Sequence, residues 1–296
     1  MRYNNVRDEK SLQTTFSEKG YAIINGRSFC VYNKYFYEKE VMLLTGRKIS
    51  AFITGLAMIF SLCFGTSVFA LDNTLCGYGQ GREVNDENIP LGALMFNEQF
   101  YAQNAYAVTD SDKIVLTFDQ GYENGFTAPI LDTLKDKGVK AVFFLTGDYA
   151  KRNPQLVRRM IDEGHIIGNH GMAHASLPKL SEAEAKEEIM SLHNYVKEEY
   201  GYEMKYFRPP CGEYSEQALS TVKDCGYTTL VWSFAYCDWD TNDQPDVNTA
   251  LDRVSAAAHR GGIYLLHSVS ETNCKILPQA IDNIRAAGFE FGLPEL

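Results

Sequence analysis

Residues 113–125 read KIVLTFDQGYENG, an apolar run that ends at Asp119 and then enters a turn bounded by glycines. Three other chemically capable side chains follow short apolar runs in the same way: His170 follows HIIGN, Arg208 follows YF, and His267 follows IYLL. The loops that leave the C-terminal ends of parallel strands converge on one face of a sheet. The pattern therefore predicts a parallel sheet with these four residues gathered in an active site at one end.

The rest of the chain continues this alternation of strand-like and helix-like segments. Strand candidates begin near Ile114, Ala141, His165, Tyr206, Thr228, Gly262 and Phe289. The intervening segments have helical patterns, and Ser181 with Glu184 forms a capping box before a long amphipathic stretch. Strands joined through helices run parallel, with right-handed crossovers. Seven such units predict an α/β fold, a closed or nearly closed barrel of about seven parallel strands, with a doubly wound open sheet as the alternative.

Composition limits the classes of function. The 296 residues are 45% hydrophobic and 22% charged, which is enough apolar sequence for a full core and predicts one main domain with an N-terminal addition. The formal net charge is -10 and the pI is about 5.1, whereas a nucleic-acid-binding protein would present a basic face. We therefore expect no nucleic-acid partner and a neutral or sugar-like substrate.

The N-terminal segment has the features of an export signal. Residues 49–70 are apolar, follow two basic residues and end in VFA, which satisfies the small-residue rule of signal peptidase. Residues 42–70 are therefore interpreted as a signal peptide, with a single membrane anchor as the alternative. Residues 1–41 do not resemble the start of a signal peptide, so translation is suspected to begin at Met42. A cytoplasmic tail on an anchored protein is the alternative.

The remainder of the chain divides at about residue 108. Residues 71–107 are rich in Gly, Asn and Tyr without clear periodicity and are interpreted as a lead-in that carries no chemistry. Residues 108–296 contain the strand and helix pattern and form the predicted main domain. The cysteines beyond residue 70 include no Cys-x-x-Cys pair, so we expect no disulfide framework.

Each candidate site residue suggests a chemical role and also a plainer alternative. His170 and His174, in NHGMAH, are spaced so that both imidazoles can face one metal ion, although solvent-facing or capping histidines would show the same spacing. Asp119 is a candidate general base or metal ligand, or a turn-forming aspartate. His267 is a candidate proton donor or a buried core histidine. Arg208 could hold a carboxylate or form a surface salt bridge.

Five segments, taken in order, resemble a known family. TFDQG, NHGMAH, RPPCG, CDW and LLH are similar to the motifs of the NodB-homology polysaccharide deacetylases of carbohydrate esterase family 4, over residues 113–296. GYENG at residues 121–125 and SVS at 268–270 resemble more narrowly the delta-lactam-biosynthetic de-N-acetylases, which act on muramic acid in spore cortex peptidoglycan. The resemblance implies a distorted (β/α) barrel, a metal-dependent hydrolase of amide bonds, and a peptidoglycan glycan strand as partner outside the cytoplasm.

The resemblance assigns the metal ligands and the base. A divalent ion, zinc in the first instance with cobalt or manganese as alternatives, would be held by His170 and His174. Gln120 stands where most members have the aspartate that completes the metal triad, so a weaker third ligand is expected. Asp119 would take the proton from the attacking water, and Arg208 would orient Asp119.

The resemblance also implies a general acid and a set of substrate contacts. His267 would protonate the departing amine. Ala235 stands where the family commonly has the aspartate that orients this histidine, so Asp238 and Asp240 are the candidates to replace it. A backbone N–H near Cys211 would hold the oxyanion, and Trp239 would wall the groove. The residues assigned to substrate binding are Tyr122, Cys211, Asp238 and Trp239.

The narrower resemblance implies a de-N-acetylase of N-acetylmuramic acid on the way to muramic delta-lactam in spore cortex. One alternative is an N-acetylglucosamine deacetylase of peptidoglycan or a chitin-like polymer. Another is a glycan-binding barrel that has lost metal chemistry through Gln120 and Ala235, although retention of the other catalytic positions favours an enzyme. Muramic acid carries a lactyl carboxylate that glucosamine lacks, so a free cation in the groove, such as Arg208 or Arg260, would favour the muramic substrate.

Overall fold

The computed structural model describes residues 15–16, 21–24, 27–30 and 71–295. The chain divides into two compact units, Met1–Ser67 and Val68–Leu296. The predicted signal peptide or anchor at residues 42–70 and most of residues 1–41 lie outside the described residues, so those assignments stay predictions. Within the described ranges, no helix is both long enough and apolar enough to cross a bilayer.

In the N-terminal unit, the described residues form a three-stranded antiparallel sheet. Its strands are β1 (Thr15–Phe16), β2 (Tyr21–Ile24) and β3 (Arg27–Cys30). Strand β2 lies between the other two, with Ile23 opposite Thr15 on β1 and opposite Ser28 on β3. The sequence patterns did not predict these strands.

The second unit is built on a parallel sheet that matches the predicted one. The strands of this unit are β4 (Cys76–Gly77), β5 (Ala105–Tyr106), β6 (Lys113–Gln120), β7 (Ala141–Leu145), β8 (Ile166–Asn169), β9 (Tyr206–Phe207), β10 (Glu213–Tyr214), β11 (Thr228–Leu230), β12 (Ile263–His267) and β13 (Glu290–Phe291). Strands β4 and β10 pair with each other in a separate antiparallel sheet. The seven predicted strands are all present, each starting within one residue of its predicted position. The main sheet has the order β12-β6-β7-β8-β9-β11-β5 with every pair parallel, and β13 pairs with the start of β6.

Helices connect the strands of the sheet. They are α1 (Leu91–Phe100), α2 (Thr127–Asp136), α3 (Gly147–Arg152), α4 (Pro154–Asp162), α5 (Glu182–Tyr200), α6 (Glu216–Asp224), α7 (Val247–Ala256) and α8 (Glu271–Ala286), with 3₁₀ turns at Tyr101–Gln103, Leu177–Lys179 and Pro210–Gly212. The predicted capping box is confirmed at the start of α5, where the Ser181 side chain accepts from the Glu184 N–H and the Glu184 side chain accepts from the Ser181 N–H. This cap fixes where α5 begins, just beyond the loop that carries two of the predicted site histidines.

The sheet curls until its two ends approach each other. An isolated bridge joins Val108, after β5, to Gly262, just before β12, and a second bridge joins Phe234, after β11, to Tyr264 on β12. The Leu265 N–H also donates to the Phe234 carbonyl oxygen at 2.8 Å. The fold is therefore the predicted distorted barrel of seven parallel strands, incompletely closed. A doubly wound open sheet would not bring these ends together.

Alternation along β6 decides which side chains face the barrel interior. Three of its residues pack in the large core between sheet and helices: Ile114, Leu116 and Phe118. The intervening Val115 belongs to a small cluster inside the barrel with Val142, Phe144, Leu230 and Ile263. Because successive side chains of a strand point to opposite faces, Thr117 and Asp119 share the interior face with Val115.

The lead-in, residues 71–107, contains more regular structure than its composition indicates. It supplies helix α1 and strand β5, which adds an eighth strand beside β11. Phe96 of α1 lies in a buried cluster with Val231, which follows β11. The helix escaped prediction because its outer face is apolar too, with Leu94 36% and Met95 59% exposed, so its apolar residues show no clear helical period.

Candidate active site

The barrel brings the four predicted strand-end residues to one edge of the sheet. Asp119 on β6 and His267 on β12 are direct partners in the parallel ladder. His170 follows β8 and Arg208 follows β9, each as the next residue after the strand. Asp119 contacts both of these side chains. The C-terminal ends of the strands therefore converge as the sequence predicted.

A buried ion pair fixes Asp119. Arg208 is fully buried, and its Nη1 donates to Asp119 Oδ1 and to Thr117 Oγ1, both at 2.7 Å. Its Nε and Nη2 donate to the carbonyl oxygens of Leu230 and Val231, both at 3.0 Å. Burial is the largest influence on Asp119 and would raise its pKa, but the charges of Arg208, His170 and His267 and the hydrogen bond from Arg208 together outweigh burial and lower the pKa. Asp119 is therefore a carboxylate at neutral pH.

His170 presents one nitrogen toward Asp119. Its Nδ1 lies 2.8 Å from the carbonyl oxygen of Arg208, and because a carbonyl oxygen only accepts, Nδ1 carries the proton. Its Nε2, 3.5 Å from Asp119 Oδ2, keeps a free lone pair. Burial lowers the pKa of His170 to about 4, so the ring is neutral at neutral pH. A metal-binding imidazole is oriented in this way, with the second ring nitrogen bonded to a fixed acceptor.

His174 lies on the following loop and completes the pair of imidazoles. Its ring centroid is 4.8 Å from that of His170, with the ring planes at 73°. Burial lowers the pKa of His174 as well. Two neutral imidazoles side by side supply the nitrogen donors that zinc takes in proteins.

The predicted third ligand, Gln120, is fully buried beside Ser268. Its Nε2 donates to Ser268 Oγ, while its Oε1 is buried with no hydrogen-bond partner among residues 71–295. The same residues contain no group of three or more His, Cys, Asp or Glu side chains that could hold a metal ion. Buried polar atoms normally have hydrogen-bond partners, so the amide oxygen of Gln120 is able to accept a hydrogen bond or to bind a cation. Two neutral imidazoles without a carboxylate as third ligand fit a weakly held divalent cation, and Gln120 as its third ligand stays a prediction.

His267 is oriented by a carboxylate. Its Nδ1 donates to Asp238 Oδ1 at 2.7 Å, and its backbone N–H donates to Asp238 Oδ2 at 2.8 Å. Asn273 Nδ2, from the first turn of α8, donates to the same Oδ2. Burial is the largest influence on His267 and would lower its pKa, but the charge and hydrogen bond of Asp238, together with the charge of Asp119, outweigh burial and raise the pKa. The environment of His267 therefore favours the protonated ring.

This contact corrects one sequence-based assignment and decides between two others. Asp238 was predicted to bind substrate, but the side chain is fully buried and its oxygens are bonded to His267 and Asn273. It orients His267, the task that the family gives to the aspartate replaced here by Ala235. Asp240, the other candidate, is exposed and accepts a backbone hydrogen bond within its own turn.

Comparisons with known proteins agree with this geometry. Residues 107–230 match the family model described as polysaccharide deacetylase. The chain is 40% identical over 228 residues to the peptidoglycan-N-acetylmuramic acid deacetylase PdaA of Bacillus subtilis (strain 168), and the match covers 75% of this chain and 85% of that protein. The chain belongs to the polysaccharide deacetylase family.

Further relatives place the deacetylase among the family 4 carbohydrate esterases. The solved structure of Bacillus subtilis PdaA, a family 4 carbohydrate esterase, superposes with a TM-score of 0.71 at 38% identity, covering 75% of this chain and 96% of that one. A peptidoglycan-N-acetylglucosamine deacetylase of Bacillus cereus is 34% identical over 172 residues, or 58% of this chain and 62% of that protein. The protein is accordingly a hydrolase of the amide bonds of acetylated sugars, in a family whose members are generally metal dependent.

Two exposed aromatic side chains of the deacetylase lie near the site: Trp239 contacts His267, and Tyr122 follows Asp119 by three residues. The Trp239 ring is 51% exposed, with its centroid 5.7 Å from that of His267. Tyr122, also 51% exposed, lies in the GYENG turn, which Asn124 ties to the loop after His267 through a 3.0 Å bond from Nδ2 to the Val269 carbonyl oxygen. Exposed flat rings are suited to packing against sugars, and their role as substrate contacts stays a prediction.

The predicted oxyanion donor of the deacetylase lies in a tight turn. Cys211 has φ +58° and is exposed, inside the 3₁₀ turn Pro210–Gly212. The next N–H, that of Gly212, is already bonded to the Pro209 carbonyl oxygen at 3.0 Å. If a backbone N–H here holds the oxyanion, it is therefore that of Cys211 rather than that of Gly212.

Two residues of the deacetylase site were not predicted. Thr117 accepts from Arg208 and donates to the Tyr264 carbonyl oxygen at 2.6 Å. Its position two residues before Asp119 on a strand was a usable signal, since such residues share a face. Asn273, which holds Asp238, lies in a helix and carried no comparable signal.

Proposed function

We propose that this deacetylase removes the acetyl group of N-acetylmuramic acid in peptidoglycan, leaving the amine that closes onto the lactyl carboxyl as muramic delta-lactam in spore cortex. The observation that carries the hydrolytic part of the proposal is a pair of neighbouring titratable groups, Asp119 and His267, whose surroundings move their pKa values in opposite directions. Arg208 keeps Asp119 ionised, and Asp238 favours protonated His267. Ladder partners with opposite pKa shifts can divide the two proton transfers of a hydrolysis.

Asp119 and His267 act in different steps of the reaction, the attack of water and the departure of the amine. Asp119 takes a proton from water through Oδ2, the oxygen that Arg208 does not bind, as the water oxygen bonds to the acetamide carbon. His267, held through Nδ1 by Asp238, gives the Nε2 proton to the sugar nitrogen as the carbon–nitrogen bond breaks. The products are acetate and a free amine.

The other two histidines of the site are proposed to hold the metal ion. His170 and His174, both neutral at neutral pH, would supply the nitrogen ligands, with Gln120 as a weaker oxygen ligand. A bound divalent cation, zinc in the first instance with cobalt or manganese as alternatives, supplies electrophilic polarisation of the carbonyl and of water. Arg208 keeps Asp119 beside His170, so the base lies next to the proposed metal ligands.

Similarity supports the muramic substrate, whereas the charged contacts do not. PdaA, which the chain covers to 85% of its length, is named for N-acetylmuramic acid. Neither cation considered for the lactyl carboxylate is free: Arg208 is fully buried and paired with Asp119, and Arg260 is exposed and paired with Asp112. A muramic-specific contact must therefore come from elsewhere, and the linked GYENG and SVS loops are the segments that bear the narrower resemblance.

Two alternatives predict different outcomes in the same assay. The similarity to the Bacillus cereus N-acetylglucosamine deacetylase favours a glucosamine substrate, but it covers less of both chains. A retired, glycan-binding barrel would not require the buried Arg208–Asp119 pair or the Asp238–His267 pair, which the structure retains intact. Since peptidoglycan lies outside the membrane, any of the three also implies extracytoplasmic action, as the predicted signal segment does.

The class of reaction is tested by acetate release. Protein stripped of metal with a chelator is incubated with peptide-stripped peptidoglycan glycan, with and without added zinc. We expect acetate only when zinc is present, because the two-imidazole site is needed to activate the poor electrophile. Glycan binding without acetate at any zinc concentration would instead favour the retired barrel.

A further inference from the structure

The loop that joins the two imidazoles, residues 170–175, has an unusual backbone. Gly171 has φ +83° and His174 has φ +58°, both in the left-handed region. Glycine adopts this conformation freely, whereas for histidine it is unfavourable and persists only where surrounding contacts maintain it. The direction in which the His174 ring points therefore depends on what holds the loop.

Helix α5 holds the loop through Glu188. Its Oε1 accepts from the backbone N–H of Ala173 at 2.7 Å and from that of Ala175 at 3.1 Å, the two residues that flank His174. The backbone carbonyl oxygen of Glu188 also accepts from the Met172 N–H at 3.2 Å. Hydrogen bonds to a carboxylate are stronger than those between neutral groups. One residue of α5 therefore bonds to the backbone on both sides of the left-handed histidine.

We propose that Glu188 is a positioning residue for metal binding, which clamps the loop so that His174 faces the same ion as His170. The inference rests on the metal site of the proposed function and extends it to a residue outside every sequence motif of the family resemblance. Glu188 acts through the backbone of Ala173 and Ala175. Its loss leaves both imidazoles in the chain but no longer fixed beside each other.

Two roles of Glu188 can be distinguished by substitution: a clamp that holds the loop through hydrogen bonds, and a negative charge that attracts the cation. Both loop N–H groups bind the same oxygen, so the amide oxygen of glutamine at this position can accept both. Aspartate keeps the charge but is shorter by one methylene, so its oxygens do not reach the two donors. A clamp therefore predicts that Glu188→Gln retains metal affinity and Glu188→Asp loses it, and an electrostatic role predicts the opposite order.

The test is the zinc dissociation constant of the full-length protein, measured by competition with a chromophoric chelator after metal removal. Glu188→Gln should bind close to wild type, while Glu188→Asp and Glu188→Ala should bind roughly 10- to 100-fold more weakly, as other outer-shell losses do. Turnover of the weak variants should return at saturating zinc, which loss of fold would not allow. Glu187→Ala is the matched control, since Glu187 is exposed, is adjacent to Glu188 on α5 and lines one surface cavity with Glu188 and Ala175, and this change should leave affinity unchanged. The zinc bound by His170→Ala protein gives the amount that binds outside the two-histidine site.

Each other outcome has a distinct meaning. Wild-type affinity in both Glu188→Asp and Glu188→Ala would overturn the clamp. Weak binding by Glu188→Gln with normal binding by Glu188→Asp would overturn it in favour of charge. Equal zinc binding by wild type and His170→Ala would remove the metal site itself, and the proposed mechanism would then fail together with the clamp.

Discussion

Replacing His170 by alanine is expected to abolish specific zinc retention and to lower turnover on the order of 10³-fold or more. In the proposed site the ring supplies one of two nitrogen ligands, and its Nε2 lies 3.5 Å from Oδ2 of Asp119, the proposed base. Its hydrogen bond from Nδ1 to the Arg208 carbonyl oxygen contributes about 1 kcal/mol to the free energy of unfolding, and the buried ring adds packing against His174. The variant should therefore fold, and circular dichroism and thermal unfolding would confirm this.

The matched control for His170 is His193→Ala. His193 is also a histidine with a hydrogen bond through Nδ1, but its partner is the Tyr227 hydroxyl. It lines a cavity with Tyr206 and Thr228, the first residues of β9 and β11, and not with the proposed metal ligands, so zinc content and turnover should stay near those of wild type. Turnover unchanged in His170→Ala would refute the two-imidazole metal site.

Changing Asp238 to asparagine should lower kcat about 10²- to 10⁴-fold with little change in KM. The carboxylate holds His267 through Nδ1 and raises its pKa, so asparagine removes both the orientation and the charge that favours the acid form. Because Asp238 is fully buried, it has no direct contact with substrate to lose. The test is the pair kcat and KM, measured by acetate release.

The pH profile of the same variant has a predicted sign. With the pKa of His267 raised by Asp238, the acid stays protonated to higher pH in wild type. Without that charge the ring loses its proton at lower pH, so the alkaline limb of kcat moves toward acid. Asp240→Asn, an exposed neighbour, should leave both rate and profile unchanged. An unmoved alkaline limb in Asp238→Asn would show that His267 is not the acid.

The fold could be predicted closely because its signals are local. An apolar run that ends at a polar residue marked the ends of β6, β8, β9 and β12, and β6 begins at Lys113, one residue from the predicted Ile114. Helix α1 was missed for an equally local reason. Leu94 and Met95 are apolar but exposed on its outer face, so apolar residues there do not mark the buried face and show no helical period.

The site could be predicted only in part, since motifs identify residues but not the contacts between them. Asp238 and Asp240 were equal candidates in the sequence, and only the path of the chain after β11 brings Asp238 to His267. Glu188 and Asn273 carried no signal at all. Each acts on the site from a helix that packs against a strand end, through hydrogen bonds to a loop or a carboxylate.

The most direct test of the account is the position of the lost acetyl group. Peptide-stripped peptidoglycan glycan treated with zinc-loaded wild-type protein is digested to disaccharides and analysed by mass spectrometry, with His170→Ala protein as the blank. We expect loss of acetyl from muramic acid, seen as the free amine or as its lactam, in an amount equal to the acetate released. Loss of acetyl from glucosamine alone would contradict the muramic assignment and establish the alternative substrate.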